Sequence, residues 1–158
     1  MKKLSARLQT AADLVCGDVA ADIGSDHAYL PVWLVLNNKI KKAYAVDISA
    51  KCIERIKNNL AKFNIGREII EPVLSDGLAG LEDIKLTDII ITGMGAKTIA
   101  GIIAGIKKPE NINFILQTNT KLDLLKDFLL ENNFKILQEI KVQEKRRFYV
   151  VLRVKFNV

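Results

Sequence analysis

Apolar and polar residues follow one another in blocks along this chain, and the block period switches regularly between strand-like and helix-like. Leu4, Leu8, Ala11, Ala12 and Val15 recur at helical spacing and predict a short amphipathic helix, with Lys2, Lys3 and Arg7 on or near its exposed side. Val19–Ile23 is an apolar run bounded by polar residues, as a strand buried on both faces should be. Gly24 ends it at a turn into a compact helix over 29–38, where Pro31 is tolerated in the first turn. The alternation continues with a strand over 43–47 and a helix over 50–63 that carries Ile53, Ile56, Leu60 and Phe63 on one stripe. Lys51, Arg55, Lys57 and Lys62 lie elsewhere on that helix and read as a solvated face. Asn64-Ile-Gly66 closes it, and a third strand over 69–74 contains Pro72, which suggests an edge position.

The fourth strand, over 87–92, holds Ile89, Ile90 and Ile91 in a row and is predicted to be the most buried. It leads into a loop, Gly93-Met-Gly-Ala-Lys97, and a helix starting at Lys97 and ending near Lys107-Lys108-Pro109. A fifth strand over 111–117 precedes Thr120 and Asp123, spaced like a capping box. That pair predicts a helix over 121–131, ended by Asn132-Asn133. The last two runs, 134–143 and 148–156, are joined by the short basic segment Glu144-Lys-Arg-Arg147 and read as an antiparallel hairpin. Five strand–helix alternations plus a hairpin make an α/β chain with a seven-stranded, mostly parallel sheet, helices on both faces and an antiparallel last strand.

Bulk composition narrows the class without deciding it. The 158 residues suffice for one domain with a real core. Lys and Arg number 24 against 18 Asp and Glu, a net charge of +6, which suits a polyanionic partner but is also found in proteins with none. Cys16 and Cys52 belong to no metal-binding spacing and His27 is the sole histidine, so no metal site is expected. Two unpaired cysteines fit a reducing cytoplasm. No apolar signal-peptide core follows Met1-Lys-Lys, and the weakly charged run 89–106 contains Lys97 and four glycines, so no membrane association is expected. A monomer is the expectation.

The candidate chemistry gathers where the strands end. Asp22 sits at the last turn of the first strand and Asp26 in the loop after Gly24. A dinucleotide site would have glycines at G-x-G-x-x-G, but Asp26 and Tyr29 stand at the second and third of those positions. A carboxylate there repels phosphate and attracts a cation. S-adenosylmethionine carries a sulfonium and an ammonium and no phosphate, and fits that sign. Asp47 ends the second strand 23 residues after Gly24, where such folds bind ribose hydroxyls; a helix N-cap is the alternative. Asp76 could accept from an adenine amine while Gly77 lets the ring approach, or Asp-Gly could be a plain turn. Gly93 and Gly95 read as crevice backbone or as tight packing. Arg7 either reaches substrate backbone or belongs to a helix covering a sheet edge, and Lys145, Arg146 and Arg147 either hold phosphates or form a solvated tip.

Several segments together resemble one family. Leu4-Ser-Ala-Arg-Leu-Gln-Thr10, Asp22-Ile-Gly-Ser-Asp-His-Ala-Tyr-Leu-Pro31, Asp76-Gly-Leu78, Gly93-Met-Gly95 and Gln117-Thr-Asn119 resemble the bacterial tRNA (adenine 22, N1)-methyltransferase family, TrmK, along essentially the whole chain. The resemblance implies a Rossmann-like class I methyltransferase fold and methyl transfer to N1 of adenine 22 in the D-loop region of tRNA. It implies cofactor binding by Asp22, Gly24, Ser25, Asp47, Ile48, Asp76, Gly77 and Gly93. Asp26 would stabilise the cationic product ring or hold the exocyclic amine, His27 and Tyr29 would position or stack on the base, and Asn119 would bind its edge. The base would swing out into a crevice between Asp26 and Met94, with Arg7 and the basic tip on the RNA. The sequence departs from the family pattern at Ala96, where a glycine is usual, which would narrow the turn. It departs again at Thr118, where a proline is usual, which would loosen the loop. The family's C-terminal coiled-coil region has no counterpart up to Val158, so an isolated catalytic domain or a short member is expected. The competing readings are an RNA-binding module that has lost catalysis and, less in keeping with the glycine spacing, a nicotinamide-dependent oxidoreductase.

Overall fold

The structure, a computed structural model, describes residues 3–107 and 110–157. Its elements run α1 (Ala6–Asp13), β1 (Val19–Ile23), α2 (Tyr29–Leu36), β2 (Lys42–Asp47), α3 (Ala50–Lys62), β3 (Ile70–Leu74) and β4 (Asp88–Gly95). They continue with α4 (Ala96–Ala104), β5 (Asn113–Thr120), α5 (Leu122–Glu131), β6 (Phe134–Glu144) and β7 (Arg147–Phe156). The seven strands form one sheet in the order β3-β2-β1-β4-β5-β7-β6. Pairings from β3 to β5 are parallel, and β7 lies antiparallel between β5 and β6. The expected seven-stranded α/β sheet is therefore present, with β3 and its Pro72 at one edge.

Period-2 alternation splits the core into two layers. Ile90 faces one side with Ala20, Ala43 and Ile115, under α1, α2 and α3. Ile89 and Ile91 face the other with Ala21, Phe114 and Leu116, under α4 and α5. Three consecutive isoleucines are tolerated because β4 is covered on both faces, and all three are fully buried. Asn38, Asn64 and Asn133 stand just past helix ends with positive φ, the left-handed conformation asparagine tolerates best after glycine.

Three local expectations are corrected. Gly93-Met-Gly95 is not a loop but the end of β4, with register shifts on either side of Met94 as Met94 pairs with Thr118 and Gly95 with Thr120. That extension draws Thr120 into β5, so the capping box with Asp123 does not form. Lys121 occupies the N-cap at φ 50° without a side-chain bond, and Asp123 remains an acid in the helix's first turn. Helix α4 stops at Ala104, short of the end expected near Lys107-Lys108-Pro109, of which Lys108 and Pro109 lie outside the described residues, as does Lys2. Among the described residues no helix is long and apolar enough to cross a membrane, and no group of three or more His, Cys, Asp or Glu is placed to hold a metal.

Candidate active site

The sheet order reverses between β1, whose next strand β2 lies on one side, and β4 on the other, so a crevice opens at their carboxyl ends. Gly24 makes the turn there at φ 74°, and its amide and that of Ser25 both donate to the Val46 carbonyl (2.8 and 2.9 Å). A Cβ on Gly24 would collide with Cε of Met94, so this position combines a left-handed φ with close packing. The loop it opens is anchored from two elements. Asp26 N–H donates to Asp47 Oδ2 (3.2 Å), and the His27 carbonyl accepts from Nδ2 of Asn59 on α3 (2.7 Å). Asp47 Oδ1 also accepts from Ser49 N–H (3.0 Å), while Ser49 itself is the N-cap of α3. The N-cap reading of Asp47 is corrected, because Ser49 caps α3; the Asp47 carboxylate instead braces the Asp26 and Ser49 amides with one lone pair on each oxygen and has another on each uncommitted.

Asp22 is the buried acid of this crevice. Its carboxylate accepts from Ser25 Oγ at 2.6 Å, and no other donor reaches it among the described residues. Burial pushes its pKa up to about 6; the Ser25 hydrogen bond pulls the other way, and the nearby Asp47 charge adds to the rise. A desolvated carboxylate short of donors is a ready partner for a cationic group.

Asp26 borders the crevice but is not free. Its Oδ1 pairs with Arg55 at 2.6 Å, and Oδ2 lies 3.7 Å from His27 Nε2. Arg55 also donates to Cys52 Sγ at 2.8 Å. The expectation of a solvated face on α3 is thus corrected at Arg55, which reaches the loop. Its spacing on the helix carried no sign of this, since the partner lies two elements earlier in the chain. The His27 and Tyr29 rings stack with centroids 5.1 Å apart and planes at 17°.

The second wall comes from β4 and β5. Gly93 N–H donates to Gln117 Oε1 (3.0 Å) and its carbonyl accepts from Asn119 Nδ2 (2.8 Å). Asn119 Oδ1 accepts in turn from Gln117 Nε2 (3.1 Å) and from Arg7 (3.3 Å). Arg7 also lies 3.3 Å from Glu144 Oε2 and 5.0 Å over the Tyr149 ring, so α1 is tied to the β6–β7 hairpin. Gln117, Glu144 and Tyr149 are contributors that the sequence reading passed over.

Two departures from the family pattern do not have the local effects expected of them. Ala96 points into the core as the first residue of α4 and does not narrow the crevice. Thr118 does not loosen its segment, which is paired strand, and its hydroxyl lies within bonding distance of the Met94 and Thr120 carbonyls (3.1 and 2.7 Å).

Two cavities meet at Arg7. The smaller, about 280 Å³, is bordered by Asp22, Ser25, Asp26, Tyr29 and Gly93. The larger, about 760 Å³, is bordered by Asn119, Lys121, Arg147, Phe148 and Tyr149. Met94 borders neither, being packed against Gly24 and the core. Asp47, Ile48, Asp76 and Gly77 lie outside the smaller cavity as well. Ile48, just past β2, and Leu74, at the end of β3 in register with Asp47, are both exposed, and Asp76 is exposed just beyond. Gly77 has φ 62°, as an Asp-Gly turn requires. Lys145 and Arg146 are exposed at the hairpin tip.

Comparison with known proteins bears on this geometry. A family model described as a methyltransferase domain matches residues 4–152. The tRNA (adenine(22)-N(1))-methyltransferase of Bacillus subtilis (strain 168) is 36% identical over 153 residues, 95% of this chain but 64% of that protein. The chain therefore spans just under two thirds of that relative's length. M. capricolum TrmK, solved in complex with S-adenosyl-homocysteine, superposes with a TM-score of 0.89 at 34% identity, over 99% of this chain and 70% of that one. Streptococcus pneumoniae Sp1610, a putative tRNA (m1A22) methyltransferase solved with S-adenosyl-L-methionine, gives 0.90 at 35% identity, over 96% and 72%.

Proposed function

The chain belongs to the TrmK family of methyltransferases, and from that premise we propose that it transfers a methyl group from S-adenosylmethionine to N1 of adenine 22 in the D-loop region of tRNA. The observation that carries this is Asp22, a buried carboxylate at the switch point of the sheet with a single hydrogen-bond donor among the described residues. The fit to the cofactor is chemical. Asp22 suits its ammonium end, the free lone pairs of Asp47 suit the ribose hydroxyls, and the exposed apolar side chains of Ile48 and Leu74 suit the adenine, with Asp76 and Gly77 following Leu74 in the chain. Gly24, Ser25 and Gly93 supply backbone and hydroxyl around the middle of the site. When bound, S-adenosylmethionine supplies an electrophilic methyl group on a sulfonium.

The chain's own contribution is to hold and orient the acceptor. N1 of adenine has an in-plane lone pair, so no base has to remove a proton before attack, and alignment is the main demand. Arg55 fixes the Asp26 carboxylate and leaves Oδ2 toward the crevice side that also holds His27, where it accepts from the exocyclic amine and offsets the positive charge of the methylated ring. The paired rings of His27 and Tyr29 give the extruded base a flat surface. Asn119 has both lone pairs of Oδ1 engaged, which leaves one Nδ2 hydrogen as its contribution to the base edge. Arg7 and the basic tip, Lys145 to Arg147, face the RNA backbone. Met94 acts by packing Gly24 rather than by touching the base. We read the chain as one catalytic domain, acting as a cytoplasmic monomer without a metal.

Incubation of the chain with radiolabelled S-adenosylmethionine and unmodified tRNA, followed by nucleoside analysis, tests the proposal. One-methyladenosine at one D-loop position is expected. S-adenosylhomocysteine binding with no label in any tRNA would instead support a binding module that has lost catalysis.

A further inference from the structure

Of the larger cavity's lining only Arg7, Asn119 and Arg147 enter the reading above, yet the wall as a whole is unusual for bland surface. It runs from the end of β5 to the start of β7 and carries three cations, Arg7, Lys121 and Arg147, with no carboxylate on its wall among the described residues. Arg7 is engaged by Glu144, whereas Lys121 and Arg147 have no ion-pair partner among the described residues. Phe148 borders the same groove and is 59% exposed, a large apolar ring that the fold does not bury. Lys141 Nζ sits 4.5 Å from its centroid, which covers one face with a cation and enriches the positive surroundings.

Exposed aromatic faces beside unpaired cations are the chemistry that holds single-stranded nucleic acid: the rings stack bases and the cations take phosphates. A volume of about 760 Å³ lies within the range of pockets that take small ligands. Both cavities share Arg7, so a nucleoside extruded into the smaller one leaves its neighbour in the chain beside the larger. We propose that this groove binds the nucleotide adjoining the target adenosine, its base against Phe148 and its backbone phosphates on Arg147 and Lys121. The inference rests on the methyltransferase reading of the smaller cavity and adds to it a second nucleotide subsite.

The test is a double-mutant cycle between protein and RNA, read by fluorescence anisotropy of labelled, unmodified tRNA at fixed salt with S-adenosylhomocysteine present. Phe148→Leu keeps apolar bulk while removing the aromatic face. In the RNA, an abasic residue replaces each neighbour of the target adenosine in turn. Stacking of one base supports an expected loss of about tenfold in tRNA affinity for Phe148→Leu on intact RNA. An abasic neighbour on one side should weaken the unaltered protein similarly, and the variant should then lose nothing further on that RNA. Affinity for S-adenosylhomocysteine should not change.

Equal losses on intact and abasic RNA, or no loss on either, would overturn the subsite. Should Phe148→Leu fail to fold, Arg147→Gln serves: it should lower the salt dependence of tRNA binding by about one phosphate contact, and an unchanged slope would overturn the assignment. Failure of the parent reading looks different. It shows as no methyl transfer by the unaltered chain, whatever the cycle reports about the groove. An acidic peptide that competes with tRNA equally well for Phe148 and for Phe148→Leu would also count against a base-stacking site.

Discussion

Asp88 and Asp22 are both buried acids on adjacent central strands, at opposite ends of the sheet, and they are treated in opposite ways. Asp88, at the start of β4, is fully buried and accepts from the Cys16 and Gly17 amides (both 2.9 Å) and from Asn113 Nδ2 (2.6 Å). Thr87 Oγ1 is a further neighbour at 2.8 Å, and Arg153 Nε donates to the far side of Asn113 at 3.0 Å. Asp22, near the end of β1, is 6% exposed and among the described residues accepts only from Ser25. Burial alone therefore does not separate an acid that clamps the chain from one proposed to take a ligand. The count of donors does, because a buried carboxylate is stable only when its oxygens are satisfied.

Removing the saturated acid should have the largest effect on stability. Asp88→Ala takes the acceptor from two part-buried loop amides and from one hydrogen of the buried Asn113 amide, whose other bond, to the Leu14 carbonyl, remains, and unsatisfied donors cost about 1–3 kcal/mol each when buried. A loss of about 3 kcal/mol or more is expected in urea unfolding, with the α1–β1 connection loosened. A variant as stable as the parent would erase the contrast between the two ends of the sheet.

Asp22→Asn should show the opposite sign on stability. A carboxyl held at about 6 against an ordinary 3.8 costs the folded state up to roughly 3 kcal/mol at neutral pH, so the neutral amide should leave the free protein equally stable or more so. The same change removes the anionic partner of a cationic ligand. Calorimetry should show S-adenosylmethionine binding weakened by roughly 10- to 100-fold, the scale of a charge-assisted hydrogen bond. Unchanged affinity together with lost stability would make Asp22 a second clamp.

The pH dependence offers a gentler perturbation of the same group. Because the folded pKa of Asp22 is raised, the native state binds more protons between 3.8 and about 6, and this group's contribution to stability falls as pH rises through that window and is flat above it. Binding of a cationic ligand runs the other way. It needs the ionised form, so affinity should fall by up to tenfold per pH unit below about 6 and level off above. Asp22→Asn should flatten both curves in that range. A binding curve that stays flat down to pH 5 in the unaltered protein would show that the ligand does not use this carboxylate.

Where local patterns control structure, the reading of the chain matched the fold. Gly24 had to turn, because no side chain fits at its φ against Met94, and the turn's acidic character was plain from Asp22 and Asp26. The capping box at Thr120 failed for a non-local reason: pairing with Gly95 on β4 keeps Thr120 in the strand, so Lys121 and not Thr120 stands at the N-cap of α5. Arg55 was missed because charge on one helix face says nothing about which loop will pass over it.

The amino-acid sequence by itself determined the order and type of the strands and helices, the sharp turn after β1 and the sign of its charge. These follow from periodicity, φ preference and ionisation, which act within a few residues. Tertiary structure alone decided how many donors each buried acid would find, that Asp26 would be held by Arg55, and that Arg7 would join Asn119 to Glu144. Those outcomes depend on distances between segments as much as 137 residues apart, and hydrogen bonds and charge pairs take effect only once packing has brought their partners within a few ångströms.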